Sequence, residues 1–589
     1  MMKKETEQGN MPVWDLKLLY EKSENRENDI KKLRTLAEDF KNRYRHKIAG
    51  LSDSELEAAF KEHAAIYNIM ARLSAHAHLL FAADTASSDA QSLLSKQEEL
   101  SAEIHGEIVF FDLELAKSGN KFQDSEKLKD YSYHIKRLVL MEKHDLPEEL
   151  EAYGMEKNLT GKHALSGIFD ELFGAFKFTM ETSEGKKTFT EETALSSLHS
   201  PDREYRHQVY EKFLSLIGEN KIVLGNIYNN IILDHRLDSK RRGFENLMSP
   251  RNLYNQVSDE SVESMLKTVE SGYELARKYF RMKAEFTGIT GMTNADIYAP
   301  IISDKEDIPF SKARDLVVEA YSSFDKNAGI IVNDFFNKRT DVPVREGKRP
   351  GAFCYGPSPE IDAFVHMNYT GDIRSVQTLA HELGHGLHHQ LSKVQNHLNF
   401  DTPLVTAETA SVFGEILLNE LMFENAKTKT EKLSILFSQM EGIIATVFRQ
   451  TVLTRFEQRA HDARAKEKVQ PEAFCDLWWE ENHKLYGETV KMVEPYRWGW
   501  AYIPHFIHTP FYCYAYSFGQ LLVLSLYGEY MKKGNSFKTG YLELLSQGGS
   551  DSPANLVKKS TGLNLEDGSF WEISLSLLNE NLKRIEALI

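Results

Sequence analysis

Apolar residues recur at helical spacing through most of the first 165 residues, and this periodicity restricts the chain more than any other feature. Residues 28–47 are charge-rich, with apolar side chains at helical intervals. After Leu51, Ser52-Asp53-Ser54-Glu55 is a capping box that opens a helix carrying Leu56, Phe60, Ala64 and Tyr67. Residues 88–117 and 124–142 repeat the amphipathic pattern. Stripes of this kind must be buried against one another, so the expected class is mainly α, built from bundled long helices. With 34 Gly and 16 Pro in 589 residues, the chain is too poor in turn formers for an all-β fold.

Two places depart from helical spacing. Residues 176–180 and 188–190 alternate around a polar turn and predict a hairpin. Residues 351–354 and 363–369 predict two short strands about a Pro/Gly turn. Helices resume over 202–238 and 258–287, and again from 375 onward. No linker or repeat divides the sequence, and a soft boundary near residue 200 separates a helical lobe, 1–200, from a second lobe, 201–589.

Charge and composition remove several function classes. Lys and Arg number 71 against 87 Asp and Glu, a net charge of −16, which argues against a nucleic-acid partner. The most apolar stretch, 502–527, is broken by Pro504, His505, His508, Pro510 and Gln520, so it does not read as a membrane span. Cys354, Cys475 and Cys513 form no disulfide framework and no Cys-x-x-Cys motif. Lys3 and Lys4 precede no apolar leader segment. A reducing cytoplasm is the expected compartment; oligomeric state is not readable.

The chemistry is concentrated in Thr378-Leu379-Ala380-His381-Glu382-Leu383-Gly384-His385. On a helix, His381 and His385 stand one turn apart and reach one metal ion, with Glu382 beside them to accept a proton from water. At about 100° per residue, Val376, Leu379, Leu383 and Leu387 make one apolar stripe, and His381, His385 and His388 fall nearly opposite it. The helix therefore leans its leucines on the core and turns its histidines to a cleft. A catalytic zinc needs a third protein ligand and an open position. His388 and Leu391 occupy the places where a metzincin has Gly and His, which excludes that class. His388 lies a turn beyond His385 and would strain to reach the same ion. Glu408, with Ser411 and Glu415 on one helical face of 406–415, is the better candidate. Glu415 suits a hydrogen bond to a ligand imidazole.

Arg349-Pro350-Gly351-Ala352-Phe353-Cys354, Asn368-Tyr369-Thr370-Gly371 and Thr378 to His388 together resemble the M3 family of zinc oligopeptidases, in its oligoendopeptidase F branch. Val13-Trp14-Asp15-Leu16, Pro504-His505-Phe506, Pro510 to Tyr514 and Leu544-Leu545-Ser546-Gln547-Gly548-Gly549-Ser550 are similar to the same branch, so the resemblance spans nearly the whole chain. It implies a two-lobed, prolate helical zincin with a deep central channel and a small β-sheet next to the active-site helix. It implies one zinc ion held by His381, His385 and Glu408, with Glu382 as general base, acting on internal bonds of short unstructured peptides. Ser375 stands where many relatives carry Asp.

Amide hydrolysis also needs donors to the tetrahedral oxyanion. The resemblance implies Tyr and His side chains far downstream, and here Tyr514 is favoured, followed by His505 and Tyr512. The strand at 363–369 reads either as an edge able to pair with an extended peptide or as structural packing beneath the active-site helix. Two other readings compete with the oligoendopeptidase: a helical zinc carboxypeptidase, and an inactive peptide-binding scaffold.

Overall fold

The computed structural model describes residues 11–182, 185–301 and 308–589. The leader-segment reading, at Lys3 and Lys4, lies outside them, as do residues 183 and 184 of the hairpin turn. Five strands, β1 (Phe178–Thr182), β2 (Gly185–Phe189), β3 (Thr340–Asp341), β4 (Phe353–Tyr355) and β5 (Phe364–His366), are the strands among the described residues. The remaining regular structure is helical, as the periodicity predicts.

Compact units are assembled from discontinuous stretches rather than from contiguous lobes 1–200 and 201–589. One comprises residues 1–143, 305–425 and 529–564; the other comprises 144–304, 426–528 and 565–589. Apolar stripes drive this, because a helix packs where its buried face finds a partner, whatever the distance along the chain.

In the first unit, helices Ser23–Tyr44, Asp53–Ala83 and Ser88–Ile108 pack together over Leu33, Phe40, Leu56, Phe60, Ile66 and Phe111. The predicted capping box forms: Ser52 Oγ accepts from the Glu55 amide, and the Ser52 amide donates to Glu55 Oε2 at 2.8 Å. The segment read as one helix over 88–117 breaks at Val109 and continues as Phe110–Ser118.

A three-stranded sheet in the same unit has the order β3-β5-β4, with β5 parallel to β3 and antiparallel to β4 (Cys354 opposite Val365). Two expected strands are therefore present, and β3 is an addition too short to show alternation. β5 is central, with neighbours on both sides, so the edge reading at 363–369 is corrected: the edge beside the site is β4. Buried Lys348 ties the sheet together, its Nζ donating to Asp341 Oδ1 at 3.0 Å and the Met367 carbonyl at 2.6 Å. The Val13-Trp14-Asp15-Leu16 segment closes one end. Trp14 packs its ring against Phe364 and His366, and the Asp15 amide donates to the Lys338 carbonyl.

The second unit contains the β1–β2 hairpin, in the register Phe178 opposite Phe189. Its long predicted helices are each split once, at Asn220 and at Gly272. No helix among the described residues is long and apolar enough to cross a membrane.

Candidate metal centre and active site

Helix Ile373–Ser392 carries the His-Glu-x-x-His segment. Asp372 caps it, with Oδ1 accepting from the Ser375 amide at 2.8 Å and from Ser375 Oγ at 3.0 Å. Ser375 therefore serves the helix start and does not touch the metal ligands. Val376, Leu379 and Leu383 are fully buried and Leu387 nearly so, each burial contributing about 1.5–3 kcal/mol. Tyr321 adds a buried hydroxyl that donates to the Ala380 carbonyl at 2.8 Å. This anchored face fixes the rotation of the helix, and the opposite face is left to the histidines.

His381, His385 and Glu408 converge. His381 Nε2 lies 3.2 Å from His385 Nε2 and 3.3 Å from Glu408 Oε2, and His385 Nε2 lies 3.5 Å from Glu408 Oε2. An ion about 2.0–2.1 Å from each of three ligands at tetrahedral angles separates them by about 3.3–3.4 Å. The three donor atoms thus fit one small divalent cation. His381 and His385 line a cavity of about 380 Å³ together with Glu382, His388, Phe353 and Cys354. His388 is buried in its wall and outside the ligand cluster.

Glu408 does not lie on one continuous helix with Ser411 and Glu415, as the spacing predicts. A short helix, Leu404–Ala407, ends at Glu408, and a new helix, Ser411–Asn425, begins three residues later. Ser411 Oγ donates to Glu408 Oε2 at 2.6 Å and fixes the carboxylate at this break. Glu415 takes the role expected of it, its Oε1 lying 2.5 Å from His381 Nδ1. The His385 ring donates to the Ala407 carbonyl. Each imidazole is therefore oriented through its second nitrogen, which leaves Nε2 for the metal.

Several supporting residues were invisible to spacing arguments. A Cβ on Gly384 would stand 2.5 Å from Ser411 Cα and 2.6 Å from the Ala410 carbonyl, so glycine there lets the Glu408 segment approach the metal helix. Gly548 (φ +53°) and Gly549 meet the backbone carbonyls of Asn399, Phe400 and Asp401 in the same way. Tyr541 donates to the Thr409 carbonyl at 2.8 Å. The Gln547-Gly548-Gly549 motif, quoted above only for resemblance, thus buttresses the connection that delivers Glu408.

Burial, with the nearby Glu408 and Glu415 charges, raises the Glu382 carboxyl to about 7 against the pull of His381; the Cys354 amide also donates to it. For His381, burial opposes the charged form, but the Glu415 hydrogen bond and the charges of Glu415, Glu408 and Glu382 outweigh it, and the ring is raised to about 9. Burial keeps His385 and His388 neutral. In the metal-free chain His381 must therefore shed the proton on Nε2 before it can ligate. Between about pH 7 and 9, where Glu382 is already ionised, metal affinity is expected to rise roughly tenfold per pH unit and to level off above pH 9. Calorimetry in buffers of different ionisation enthalpy would read the released proton, and an affinity flat across that window would refute the assignment.

The downstream candidates lie in the other unit. Tyr514 is fully buried, and its hydroxyl accepts from Asn255 Nδ2 at 2.9 Å. That bond uses an oxygen lone pair and leaves the O–H free to donate, so it is the full burial of Tyr514 that sets it apart from the more open His505 and Tyr512, and the Asn255 contact that holds its ring. Spacing alone could not foresee it, because Asn255 is distant in the chain. His505 and Tyr512 are partly exposed, with rings stacked at 5.3 Å, and His505 Nε2 lies 3.2 Å from the hydroxyl of exposed Tyr516.

A mainly α chain with a small sheet beside a His-Glu-x-x-His helix, and a Glu carboxylate brought up by a following segment, has the layout of a helical zincin. The Peptidase family M3 profile matches residues 311–572, the stretch that contains this site. Oligopeptidase PepF of Bacillus subtilis is 24% identical over 93% of this chain and 83% of its own, and the chromosomal oligoendopeptidase F of Lactococcus lactis subsp. cremoris is 24% identical over 100% and 99%. A crystal structure described as a peptidase of Chlamydophila abortus shares the fold with a TM-score of 0.90, at 22% identity over 99% of both chains. The chain is thus similar to peptidase family M3 over 262 of its 589 residues.

Proposed function

We propose that this protein is a zinc-dependent oligoendopeptidase that hydrolyses internal bonds of short, unstructured peptides. The observation that carries the reading is the triangle of His381, His385 and Glu408 donor atoms, 3.2–3.5 Å apart, with Glu382 on the same helix. Two neutral imidazole nitrogens and one carboxylate are a donor set suited to zinc. When bound, the ion supplies a Lewis acid that polarises a carbonyl and makes water easier to deprotonate.

Glu382, held by the Cys354 amide, accepts the proton of the attacking water and returns it to the leaving amine. A carboxyl raised to about 7 is well matched to both transfers near neutral pH. The outer edge of β4 supports alignment of an extended peptide backbone through main-chain hydrogen bonds, which confer affinity without selecting side chains. His505 and Tyr512 are the donors proposed for the oxyanion, because both keep accessible polar atoms where Tyr514 does not. The three free cysteines suit a reducing cytoplasm.

The competing carboxypeptidase reading is separated by blocking peptide ends. Unstructured peptides with blocked termini should be cut internally, whereas a folded protein should resist, since unfolding it costs about 5–15 kcal/mol that a few subsites do not return. The test is a ladder of end-blocked peptides of increasing length beside one protein in native and denatured form, followed by mass spectrometry. Cleavage only of free C-termini would establish the carboxypeptidase, and efficient cutting of the native protein would remove the oligopeptidase reading.

A further inference from the structure

We propose that Asp401 makes the far end of the metal cavity a subsite for a basic side chain of the peptide; this deepens the peptidase reading above and rests on it. The cavity, about 380 Å³, is far larger than a metal ion and its water require, since one water takes about 30 Å³ of liquid. Its lining follows the metal helix past the ligands, through His388 and His389 to Ser392, and returns along Asp401 and Thr402 on the connection that leads to Glu408. His385 and Ser392 are seven residues, and so about 10 Å, apart along this helix. An extended peptide advances about 3.3 Å per residue, so a side chain entering the far end belongs to a residue within about three positions of the bond at the metal. All of these residues lie in the same compact unit as the metal ligands.

The far end is rich in acceptors and brings no positive charge of its own. Among the described residues that line the cavity there is no lysine or arginine. Lys393, the first residue beyond the helix, is taken by Asp362 at 2.6 Å. Asp401 stands exposed at the open side of the cavity, where its Oδ1 accepts from the Thr402 amide at 3.0 Å. No lysine or arginine lies within ion-pair distance of it among the described residues, and Arg137 acts on it only from farther away. His389 points to the same ligand chemistry. It lines the cavity at only 8% exposure; the Ser358 carbonyl faces one of its ring nitrogens, and the other has no partner. Burial keeps the ring neutral, so the unpartnered nitrogen is a lone-pair acceptor. Such an acceptor is costly in a buried wall until a donor reaches it. Ser392 Oγ donates to the His389 carbonyl at 3.2 Å and keeps its lone pairs for a further donor. A lysine ammonium or an arginine guanidinium is all donors and no acceptor, which is the match for this wall. Phe353 and Phe400 offer an apolar surface to its methylenes, and Phe400 also holds His389, ring edge to face at 4.9 Å. An acidic side chain would meet lone pairs and a like charge in the same place.

The test is a series of end-blocked peptides with one lysine moved through the three positions on either side of the cleaved bond, beside the same peptides with Gln or Glu in its place. At one position Lys should exceed Gln in kcat/KM by roughly fivefold to fiftyfold, between the range of an exposed ion pair and that of a charge-assisted hydrogen bond, and Glu should fall below Gln. Asp401→Asn keeps an oxygen for the Thr402 amide but loses the charge, so the Lys-to-Gln ratio should drop toward one; Asp401→Glu should retain part of it. Circular dichroism and thermal melting report that both variants are folded. In wild type the same ratio should shrink from low to high salt. Fluorescence anisotropy of dye-labelled forms of these peptides reads the subsite independently of turnover. A lysine preference in binding without any cleavage would remove the peptidase reading and leave the subsite standing. Cleavage of the Lys and Gln peptides alike at every position, a ratio undiminished in a folded Asp401→Asn or, should that variant not fold, a wild-type ratio indifferent to salt would overturn the subsite and leave the peptidase.

Discussion

Glu382→Gln is expected to keep its metal and lose turnover by about 10³–10⁴-fold, the upper range for removal of a general base from an otherwise intact site. The substitution preserves shape and leaves His381, His385 and Glu408 untouched, so metal content measured by atomic absorption should equal that of wild type. The amide can still receive the Cys354 N–H through its oxygen, but it has no lone pair basic enough to take a proton. A variant with full metal occupancy and substantial residual kcat would transfer the base role to another residue.

Glu408→Ala should release the metal, with affinity lowered by more than the roughly 10–100-fold typical of losing an outer hydrogen-bond partner, because a ligand itself is gone. It also leaves Ser411 Oγ without its 2.6 Å acceptor. His388→Ala is the informative companion. His388 lines the same cavity, one turn beyond His385, yet lies outside the converging donor atoms. Its removal should therefore leave the metal affinity close to that of wild type. Metal titration of both variants decides the matter: loss in His388→Ala with retention in Glu408→Ala would mean a three-histidine site.

Local signals carried a large part of this protein. Ser52 and Glu55 form the capping box that their spacing predicts, and the alternation around residues 176–190 is a hairpin. The two histidines one turn apart reach a common point because a helix with Val376, Leu379 and Leu383 buried can present them in only one direction. These features depend on neighbours within a turn or two, and for that reason sequence periodicity determined them. Glu415 against His381 was also legible, since both lie on strongly periodic segments.

Other features depended on contacts between distant stretches. β5 is a central strand only because a two-residue strand at Thr340–Asp341 pairs with its far side. Tyr514 is fully buried beside Asn255, 259 positions away, which donates to its hydroxyl oxygen. Gly384 matters because the Ala410–Ser411 backbone comes within a Cβ's reach, and Gly548 and Gly549 matter because residues 399–401 lie against them. The sequence by itself determined the helices and the pair of histidines one turn apart with Glu382 beside them, all set by short-range periodicity and steric rules. Tertiary structure alone decided which backbone edges stay open, which side chains are buried away from solvent and which glycines let two backbones meet, because each is a sum over groups that only packing brings together.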